Sequence, residues 1–276
     1  MIQKKSIGLI GCGNMGSALA ENLKKKAQPK EIFVVDKDKE RQESLVRRFG
    51  VKSCASVREL VSQSDVLILA VKPQDLQAVA TDLRGISGKL IISIAAGVSL
   101  ATLEEKISKK TALVRAMPNL NALIGRSVTA LCPNRLADKE DVDVATEIFM
   151  AVGDVVFIQE SQMNAFTAVA GSGPAFVAYM KDTKNDVLER ILTQEAERLG
   201  LDHNTATTSA AGTIAGTREM MRVNLDPDIL IKRVSSKGGT TEAGMKVLEE
   251  KGKTEQALSE AIQAAHRRAN ELAKIS

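Results

Sequence analysis

The chain has 276 residues and a net charge of +4 at pH 7; 44% of the residues are apolar and 26% are charged. These values are ordinary for a soluble globular protein with one large or two medium domains. Aromatic residues make up only 3% of the chain and no basic block stands out. We therefore expect neither nucleic acid nor a membrane surface as a partner.

The cysteines and the start of the chain bear on its location. Cys12, Cys54 and Cys132 are odd in number and widely spaced, which argues against a disulfide framework and against a zinc site. Residues 1–5 lead directly into an apolar run that reads as a strand, not as the core of a signal peptide. No apolar stretch reaches transmembrane length. We expect a reducing cytoplasm as the location, and no bound metal.

A glycine-rich loop stands between a predicted strand and a predicted helix near the N-terminus. Residues 11–16 read Gly-Cys-Gly-Asn-Met-Gly, after the apolar run 6–10. In this context G-x-G-x-x-G is typical of a dinucleotide-binding turn, whose backbone N–H groups and helix start accept a pyrophosphate. The alternative is a glycine turn without a ligand. The residues predicted to hold the cofactor here are Gly11, Gly13, Asn14, Met15 and Gly16.

Asp36 bears on which dinucleotide binds. It directly follows the predicted strand 31–35. A carboxylate there accepts hydrogen bonds from a ribose 2′-OH and repels a 2′-phosphate, which slightly favours NADH over NADPH. The neighbouring Lys37 keeps NADPH open, because an ammonium group can pair with that phosphate.

The first half of the chain alternates short apolar runs with amphipathic stretches. This alternation predicts a doubly wound, mostly parallel α/β sheet, and hence a dinucleotide-binding Rossmann domain over residues 1–158. The predicted strands are 5–10, 31–35, 65–71, 89–94, 111–116, 127–132 and 153–158, with helices over 38–49, 73–84 and 138–151.

Ligands of such sheets lie outside the carboxyl ends of the strands, and the sequence puts notable residues there. Ala70, Lys72 and Pro73 close one predicted strand; Lys72 either meets a cofactor phosphate or is solvated. Ala96, after another strand, fits a nicotinamide ribose or serves close sheet packing. Asn119, after a third, either hydrogen-bonds at the reacting end or stabilises its own turn.

Residues 159–276 are predicted to form an all-helical substrate and dimerisation domain, with helices over 160–170, 174–199, 203–223 and 254–274. Small residues in 210–216 allow close helix packing, and a thin helical domain favours a second copy of the chain as partner. The segment Gly171-Ser172-Gly173-Pro174 interrupts the first long helix. It predicts either a fresh helix start at Pro174 or a simple kink.

A second glycine-rich loop lies at residues 235–244, Ser-Ser-Lys-Gly-Gly-Thr-Thr-Glu-Ala-Gly. Gly238 and Gly239 precede a predicted helix, and a helix start with open N–H groups is a seat for a carboxylate or phosphate. The alternative is a helix cap after a turn.

The sequence offers few general acids or bases. His203 and His266 lie in helical, charged surroundings and are expected to be solvated. Reduction of an imine suits such a site, because a protonated C=N is already electrophilic and the protein has mainly to bind and orient it. The hydroxyls of Thr241 and Ser236 are the candidates for holding the nitrogen.

The chain resembles the pyrroline-5-carboxylate reductases. The resemblance rests on six motifs that run in the family's order along nearly the whole length. They are residues 11–16 (GCGNMG), 70–73 (AVKP), 95–98 (AAGV), 115–119 (RAMPN), 171–176 (GSGPAF) and 236–241 (SKGGTT). The resemblance implies NAD(P)H-dependent reduction of L-1-pyrroline-5-carboxylate to L-proline, and a helical C-terminal domain that forms a homodimer or a larger ring of dimers.

The resemblance also assigns roles to residues. The backbone of Gly238, Gly239, Thr240 and Thr241 would hold the substrate carboxylate, Thr241 would hydrogen-bond the ring nitrogen, and Glu160 would lie beside the substrate. Lys72, Pro73 and Ala96 would line the cofactor, and Pro174 of the partner subunit would lie near the nicotinamide. This chain departs from the family pattern at Lys237, where proline is usual, and at Leu120-Asn121, where Thr-Pro is usual.

Two other functions stay open at this point. One is a reductase of the same build that acts on another cyclic imine acid or on a hydroxy acid. The hydroxy-acid version expects a lysine in the long interdomain helix, and no lysine occurs between Glu160 and Met180. The other is a non-catalytic NAD(P)-binding sensor, which would bind the cofactor without oxidising it.

Overall fold

The computed structural model describes residues 1–223 and 226–274. These residues form two compact units. The first comprises Met1–Ala116 and Leu131–Val155, and the second comprises Met117–Ala130 and the described residues from Val156 onward. The division at 158/159 stays a prediction about which part of the chain binds which ligand.

One eight-stranded sheet is formed within the described residues, in the order β3-β2-β1-β4-β5-β6-β7-β8. Strands β1 to β6 pair in parallel. Strands β2 and β3 are added on one side of β1, and β4 to β6 on its other side. This is the strand order of a doubly wound dinucleotide-binding fold, so the predicted fold class is confirmed. The strands are β1 Ser6–Ile10, β2 Glu31–Val35, β3 Lys52–Ser53, β4 Val66–Leu69, β5 Leu90–Ser93, β6 Ala112–Met117, β7 Ser127–Pro133 and β8 Gly153–Phe157.

Helices alternate with the strands in the first half of the chain. They are α1 Asn14–Asn22, α2 Lys39–Phe49, α3 Val57–Gln63, α4 Leu76–Leu83, α5 Leu100–Lys106 and α6 Lys139–Met150. Side-chain caps start several of them: Asp38 accepts from the Arg41 N–H, and Asp138 and Asp141 form a capping box. Such caps supply acceptors for first-turn N–H groups that have no partner inside the helix.

The central strands are buried along their whole length, as parallel strands covered on both faces must be. All residues of β1, β4 and β5 are buried. Their apolar runs show no polar alternation, which is why the sequence identified them well. The two-residue strand β3 is exposed and has no such run, so the sequence analysis missed it.

The described residues after Phe157 are helical or irregular. The α-helices are α7 Met163–Phe166, α8 Gly173–Tyr179, α9 Asn185–Arg198, α10 His203–Arg222, α11 Pro227–Val234, α12 Thr240–Lys251 and α13 Glu255–Ala273. Short 3₁₀ turns lie at Glu160–Gln162 and at Leu120–Ile124.

The helix predicted over 174–199 is wrong as a single element, because α8 and α9 are separated at residues 180–184. Arg218 on α10 stabilises the segment between the two helices. Its guanidinium group donates to the carbonyls of Lys181 (2.5 Å) and Thr183 (2.6 Å) and to Asn185 Oδ1 (2.9 Å). A helical turn would use these carbonyls internally. A long-range contact therefore stabilises a break that the helical pattern did not reveal.

The segment 171–174 contains a helix start one residue before the predicted one, because α8 begins at Gly173 and Pro174 lies in its first turn. Residues Thr167–Gly171 form a π-helical turn, and Ser172 keeps helical dihedral angles (φ −84°, ψ −22°) between that turn and α8. The Ser172 N–H donates to the Thr167 carbonyl at 2.9 Å. A π turn inserts one residue into a helix and re-aims the side chains that follow.

Glycines on α8 and α10 allow close packing within the second unit. A Cβ added at Gly216 would lie 2.5 Å from the Asn121 side-chain nitrogen, and one added at Gly173 would lie 2.7 Å from the Thr213 methyl group. Asn121 is fully buried and donates to the Thr213 carbonyl. The unusual Leu120-Asn121 pair thus packs on α10.

Candidate functional site

The glycine-rich loop has the geometry of a pyrophosphate cradle. Gly11 has a φ of +107°, and a Cβ added there would lie 2.4 Å from the Ala70 carbonyl oxygen; one added at Gly16 would lie 2.0 Å from the Gly11 carbonyl oxygen. At Gly13 an added Cβ would meet no heavy atom of the described residues within 4 Å, apart from those of its chain neighbours. Gly11 and Gly16 are therefore required by the turn and its packing, whereas Gly13 leaves space for a ligand.

Asp36 follows β2 and holds this loop. Its Oδ2 accepts from the Cys12 N–H at 2.5 Å, its Oδ1 accepts from the Asp38 N–H at 2.8 Å, and its own N–H donates to Gln42 Oε1 at 3.0 Å. Each carboxylate oxygen keeps a second lone pair, which a ribose hydroxyl can use.

Burial raises the pKa of the Cys12 thiol to about 12, and the negative charges of Asp36 and Asp38 add to this against a smaller opposite effect of Lys39. The Cys12 side chain beside the cradle is therefore a neutral thiol near neutral pH.

The other predicted cofactor residues lie at or just beyond the carboxyl ends of β4 and β5. Ala70 donates its N–H to the Ile10 carbonyl beside the glycine loop. Lys72 and Pro73 are exposed at a 3₁₀ turn after β4, and Ala96 is exposed after β5. Asn14 and Met15 begin α1.

Lys37, the candidate for a 2′-phosphate, instead pairs with Asp75 at 2.7 Å and is 78% exposed. Because an exposed ion pair is weak, this contact does not decide between NADH and NADPH.

The second glycine-rich loop precedes α12, and its N–H groups divide into two sets. The Gly238 N–H donates to Glu242 Oε2 at 2.7 Å, and the Gly239 N–H donates to the Ser236 carbonyl at 2.9 Å. For the N–H groups of Thr240 and Thr241, no acceptor is found in the described chain, and the cap residue Gly239 offers no side chain. The N–H groups open to an anion are therefore those of the first turn of α12. Gly238 and Gly239 shape the loop before it, and their carboxylate-binding role stays a prediction.

Three hydroxyls meet at the start of α12. The Thr241 hydroxyl donates to Ser172 Oγ at 3.1 Å, and Ser172 Oγ also lies 3.1 Å from Thr240 Oγ1. Thr241 is 4% exposed and Ser172 is fully buried, whereas Thr240 is half-buried. Ser236, predicted as a second catalytic hydroxyl, is exposed.

Long-range contacts fix the loop and α12. Arg268 on α13 donates to the Gly238 carbonyl at 2.7 Å, and Gly238 has a φ of +69°. A Cβ added at Gly244 would lie 2.4 Å from the Phe176 ring, so α12 packs closely on α8. Sequence analysis missed Arg268 and Glu242: Glu242 at the third helical position was a recognisable capping signal, but nothing local marks Arg268.

Asn119 does not present its side chain as predicted. It is 2% exposed, and its amide nitrogen donates to the Ala170 carbonyl at 3.1 Å, with Thr213 Oγ1 at 3.4 Å. Within the described residues its Oδ1 has no hydrogen-bond partner. Asn119 thus joins helices inside the second unit, and its role toward the substrate stays a prediction.

Glu160 and Pro174 occupy different settings. Glu160 is half-buried at the start of the 3₁₀ turn before α7, where a negative charge is favourable. Pro174 is buried in the first turn of α8. Their roles toward substrate and nicotinamide stay predictions.

The two histidines lie in different environments. His203 is exposed and pairs with Glu197 at 2.6 Å. His266 is half-buried rather than solvated, and burial, with a smaller effect of Arg267, lowers its pKa.

Across residues 1–223 and 226–274, no three His, Cys, Asp or Glu side chains lie close enough together to bind a metal ion. The same residues form no helix with the length and hydropathy needed to cross a membrane.

A doubly wound sheet with a glycine cradle, followed by a helical unit with an open anion seat, defines a dinucleotide-binding oxidoreductase. Comparison with known proteins narrows the class. Residues 160–272 match the domain family described as pyrroline-5-carboxylate reductase dimerisation, and residues 6–97 match the one described as NADP oxidoreductase coenzyme F420-dependent. The chain belongs to the pyrroline-5-carboxylate reductase family.

Individual relatives support this assignment over the full length. The chain is 38% identical to the pyrroline-5-carboxylate reductase of Methanosarcina acetivorans, over 99% of this chain and 100% of that protein. The solved pyrroline-5-carboxylate reductase of Coxiella burnetii is 31% identical, with a TM-score of 0.66 and 98% of each chain covered. The pyrroline carboxylate reductase of Plasmodium falciparum, solved with NADP bound, is 26% identical, with a TM-score of 0.67 and with 99% of this chain and 100% of that chain covered.

Proposed function

We propose that this protein reduces L-1-pyrroline-5-carboxylate to L-proline with NADH or NADPH. The observation that carries the proposal is the start of α12, where two N–H groups without an acceptor in the described chain adjoin the hydroxyls of Thr240 and Thr241. A cyclic imine acid has the matching groups, because its carboxylate is attached to the carbon next to its ring nitrogen. The names of the relatives point to the same substrate.

The cofactor is proposed to bind at the glycine cradle of the first unit. The space at Gly13 and the start of α1 fit a pyrophosphate, and the carboxylate of Asp36 fits a ribose hydroxyl. Ala70, Lys72, Pro73 and Ala96 would line the remainder. NADH remains slightly favoured because of Asp36. Bound NAD(P)H would supply a hydride to the imine carbon.

The substrate carboxylate would bind to the N–H groups of Thr240 and Thr241. These groups carry the partial positive charge of the start of a 12-residue helix, and hydrogen bonds to a charged acceptor contribute about 1.5–3 kcal/mol each. The protonated ring nitrogen would donate its N–H to the Thr241 hydroxyl oxygen.

The protein needs no general acid in the reducing step itself. When a hydride adds to the carbon of a protonated imine, the electron pair of the C=N bond moves to the nitrogen, which already carries its proton. The resulting amine takes its second proton from solvent. The task of this chain is therefore to bind the imine in its protonated form and to orient it.

The proposal extends to how the protein assembles and where it is located. The match to a dimerisation family over residues 160–272 supports a homodimer, or a larger ring of dimers, that associates through residues 159–276. Residues 1–158 would form the cofactor domain. The three cysteines are free thiols, in keeping with a reducing cytoplasm.

The direct test is oxidation of NADH and of NADPH, measured side by side at 340 nm with L-1-pyrroline-5-carboxylate. We expect turnover with at least one cofactor. Cofactor binding by calorimetry without oxidation by any cyclic imine acid would instead identify a sensor, and turnover of another imine or a hydroxy acid alone would reassign the substrate.

A further inference from the structure

We infer that Ser172 is a positioning residue, which fixes the direction of the Thr241 hydroxyl so that an oxygen lone pair faces the substrate nitrogen. This inference rests on the proposed function. Ser172 would act through Thr241 rather than by contact with the reacting atoms.

A hydroxyl has a limited hydrogen-bonding capacity. Threonine has one O–H donor and two acceptor lone pairs. A protonated imine nitrogen offers only a donor, and so does the ammonium group of the product. A threonine hydroxyl that is to hold this nitrogen must accept, and its own proton has to point elsewhere.

Ser172 provides the place for that proton. The Thr241 hydroxyl donates to Ser172 Oγ at 3.1 Å. Ser172 Oγ also lies 3.1 Å from Thr240 Oγ1, and either oxygen of that second pair can be the donor. Ser172 Oγ thus accepts the Thr241 proton and has Thr240 as its second partner. The buried Ser172 is shielded from water that would compete for these bonds.

The Ser172 side chain is not needed for its backbone. The Ser172 N–H donates to the Thr167 carbonyl, and its carbonyl accepts from the Ala175 N–H. Its hydroxyl therefore serves the threonines on α12 rather than a helix cap.

The fold holds Ser172 in place from two sides. The π-helical turn Thr167–Gly171 immediately precedes it, and such turns re-aim side chains, often at functional sites. Immediately after it, Gly173 lies so close to Thr213 that an added Cβ would be 2.7 Å from the Thr213 methyl group. α8 is therefore fixed against α10, and Ser172 is directed at α12.

The test is a double-mutant cycle with Ser172→Ala, Thr241→Val and the double variant. Ser209→Ala is the matched control, because Ser209 is a fully buried serine on α10 whose hydroxyl has no partner in the described chain. The measurements are kcat and KM for the imine, the calorimetric Kd of L-proline, and the Kd of the cofactor, with thermal melting to verify folding.

We expect Ser172→Ala to lower kcat about 10-fold or more and to weaken L-proline binding, with the cofactor Kd within about twofold of wild type. In the Thr241→Val background the same substitution should change kcat less than about twofold, and Ser209→Ala should resemble wild type.

Two results would overturn the inference while the proposed function stands: an active wild-type protein whose Ser172→Ala variant matches Ser209→Ala, or equal effects of Ser172→Ala with and without the Thr241 hydroxyl. A wild-type protein inactive on every cyclic imine acid would overturn the proposed function, and this inference with it.

Discussion

The Cys12 backbone N–H, inside the glycine-rich loop, donates to the Asp36 carboxylate at 2.5 Å. The carboxylate that is predicted to bind the ribose therefore also orders the loop that is predicted to bind the pyrophosphate. Substitution of Asp36 has two effects, one on charge and one on loop order, and they can be separated.

Asp36→Asn should raise the ratio of kcat/KM with NADPH to that with NADH by about 10-fold, because it removes the charge that repels a 2′-phosphate and keeps an oxygen acceptor for one N–H. Asp36→Ala should raise the ratio too, and should also lose about 1–3 kcal/mol of stability through the unpaired N–H groups of Cys12 and Asp38. Steady-state kinetics and thermal melting measure the two effects. An unchanged ratio in both variants would remove the argument for NADH.

Gly13→Ala and Gly16→Ala form a matched pair in the same loop. An added Cβ at Gly13 meets no heavy atom of the described residues within 4 Å, apart from those of its chain neighbours, whereas one at Gly16 lies 2.0 Å from the Gly11 carbonyl oxygen. Gly13→Ala should keep the wild-type melting temperature and weaken cofactor binding at least 10-fold; Gly16→Ala should lower the melting temperature by several degrees. If Gly13→Ala binds the cofactor normally, the loop does not hold the pyrophosphate.

Thr241→Val should lower kcat about 10-fold or more, since it removes one hydrogen bond to a charged nitrogen, and should leave the Kd of the cofactor near normal. Thr240→Val is the comparison, because Thr240 also contacts Ser172 but is the more exposed of the two. A larger kcat loss in Thr240→Val would transfer the nitrogen-binding role to Thr240. Equal loss of rate and cofactor affinity in Thr241→Val would contradict its assignment.

Arg268→Gln should raise the KM for the imine about 5-fold, because the bond from Arg268 to the Gly238 carbonyl stabilises the loop before α12. Arg267→Gln is the control, since Arg267 is exposed on the same helix. The Kd of the cofactor should stay constant in both variants. Equal KM values for the two variants would show that the loop does not depend on this contact.

Cys12 should react slowly with a thiol reagent. The thiolate is the nucleophile, and a pKa raised to about 12 by burial, Asp36 and Asp38 leaves little thiolate at pH 8. The modification rate of the folded protein should rise as pH increases toward 12, while urea-unfolded protein should react at the rate of an ordinary thiol. Rapid labelling of Cys12 in the folded protein at pH 8, located by mass spectrometry, would contradict its buried environment.

The parts of the fold that follow from local pattern were predictable. The sequence predicts β2 at 31–35, as the structure has it, and predicts that the glycine-rich loop lies between a strand and a helix. Buried apolar runs and sterically required glycines can be recognised in a single sequence. The break between α8 and α9 was not predictable, since Arg218 on a distant helix stabilises it.

The helical part of the candidate site likewise has features that the sequence predicted and features that depend on distant residues. The helix start after Gly239 was visible as a pattern, but which N–H groups stay open depends on Glu242 and on the Ser236 carbonyl. Asn119 was expected at a ligand, yet its amide bonds to Ala170, 51 residues away. A single sequence does not encode such pairings locally.

The most direct test of the central claim compares L-1-pyrroline-5-carboxylate with 1-pyrroline, which has the same ring without the carboxylate. If the first turn of α12 binds that carboxylate, kcat/KM should be at least about 100-fold higher for the acid, with one L-proline formed per NAD(P)H oxidised. Equal kcat/KM for the two imines, or oxidation of the cofactor without formation of proline, would contradict the account.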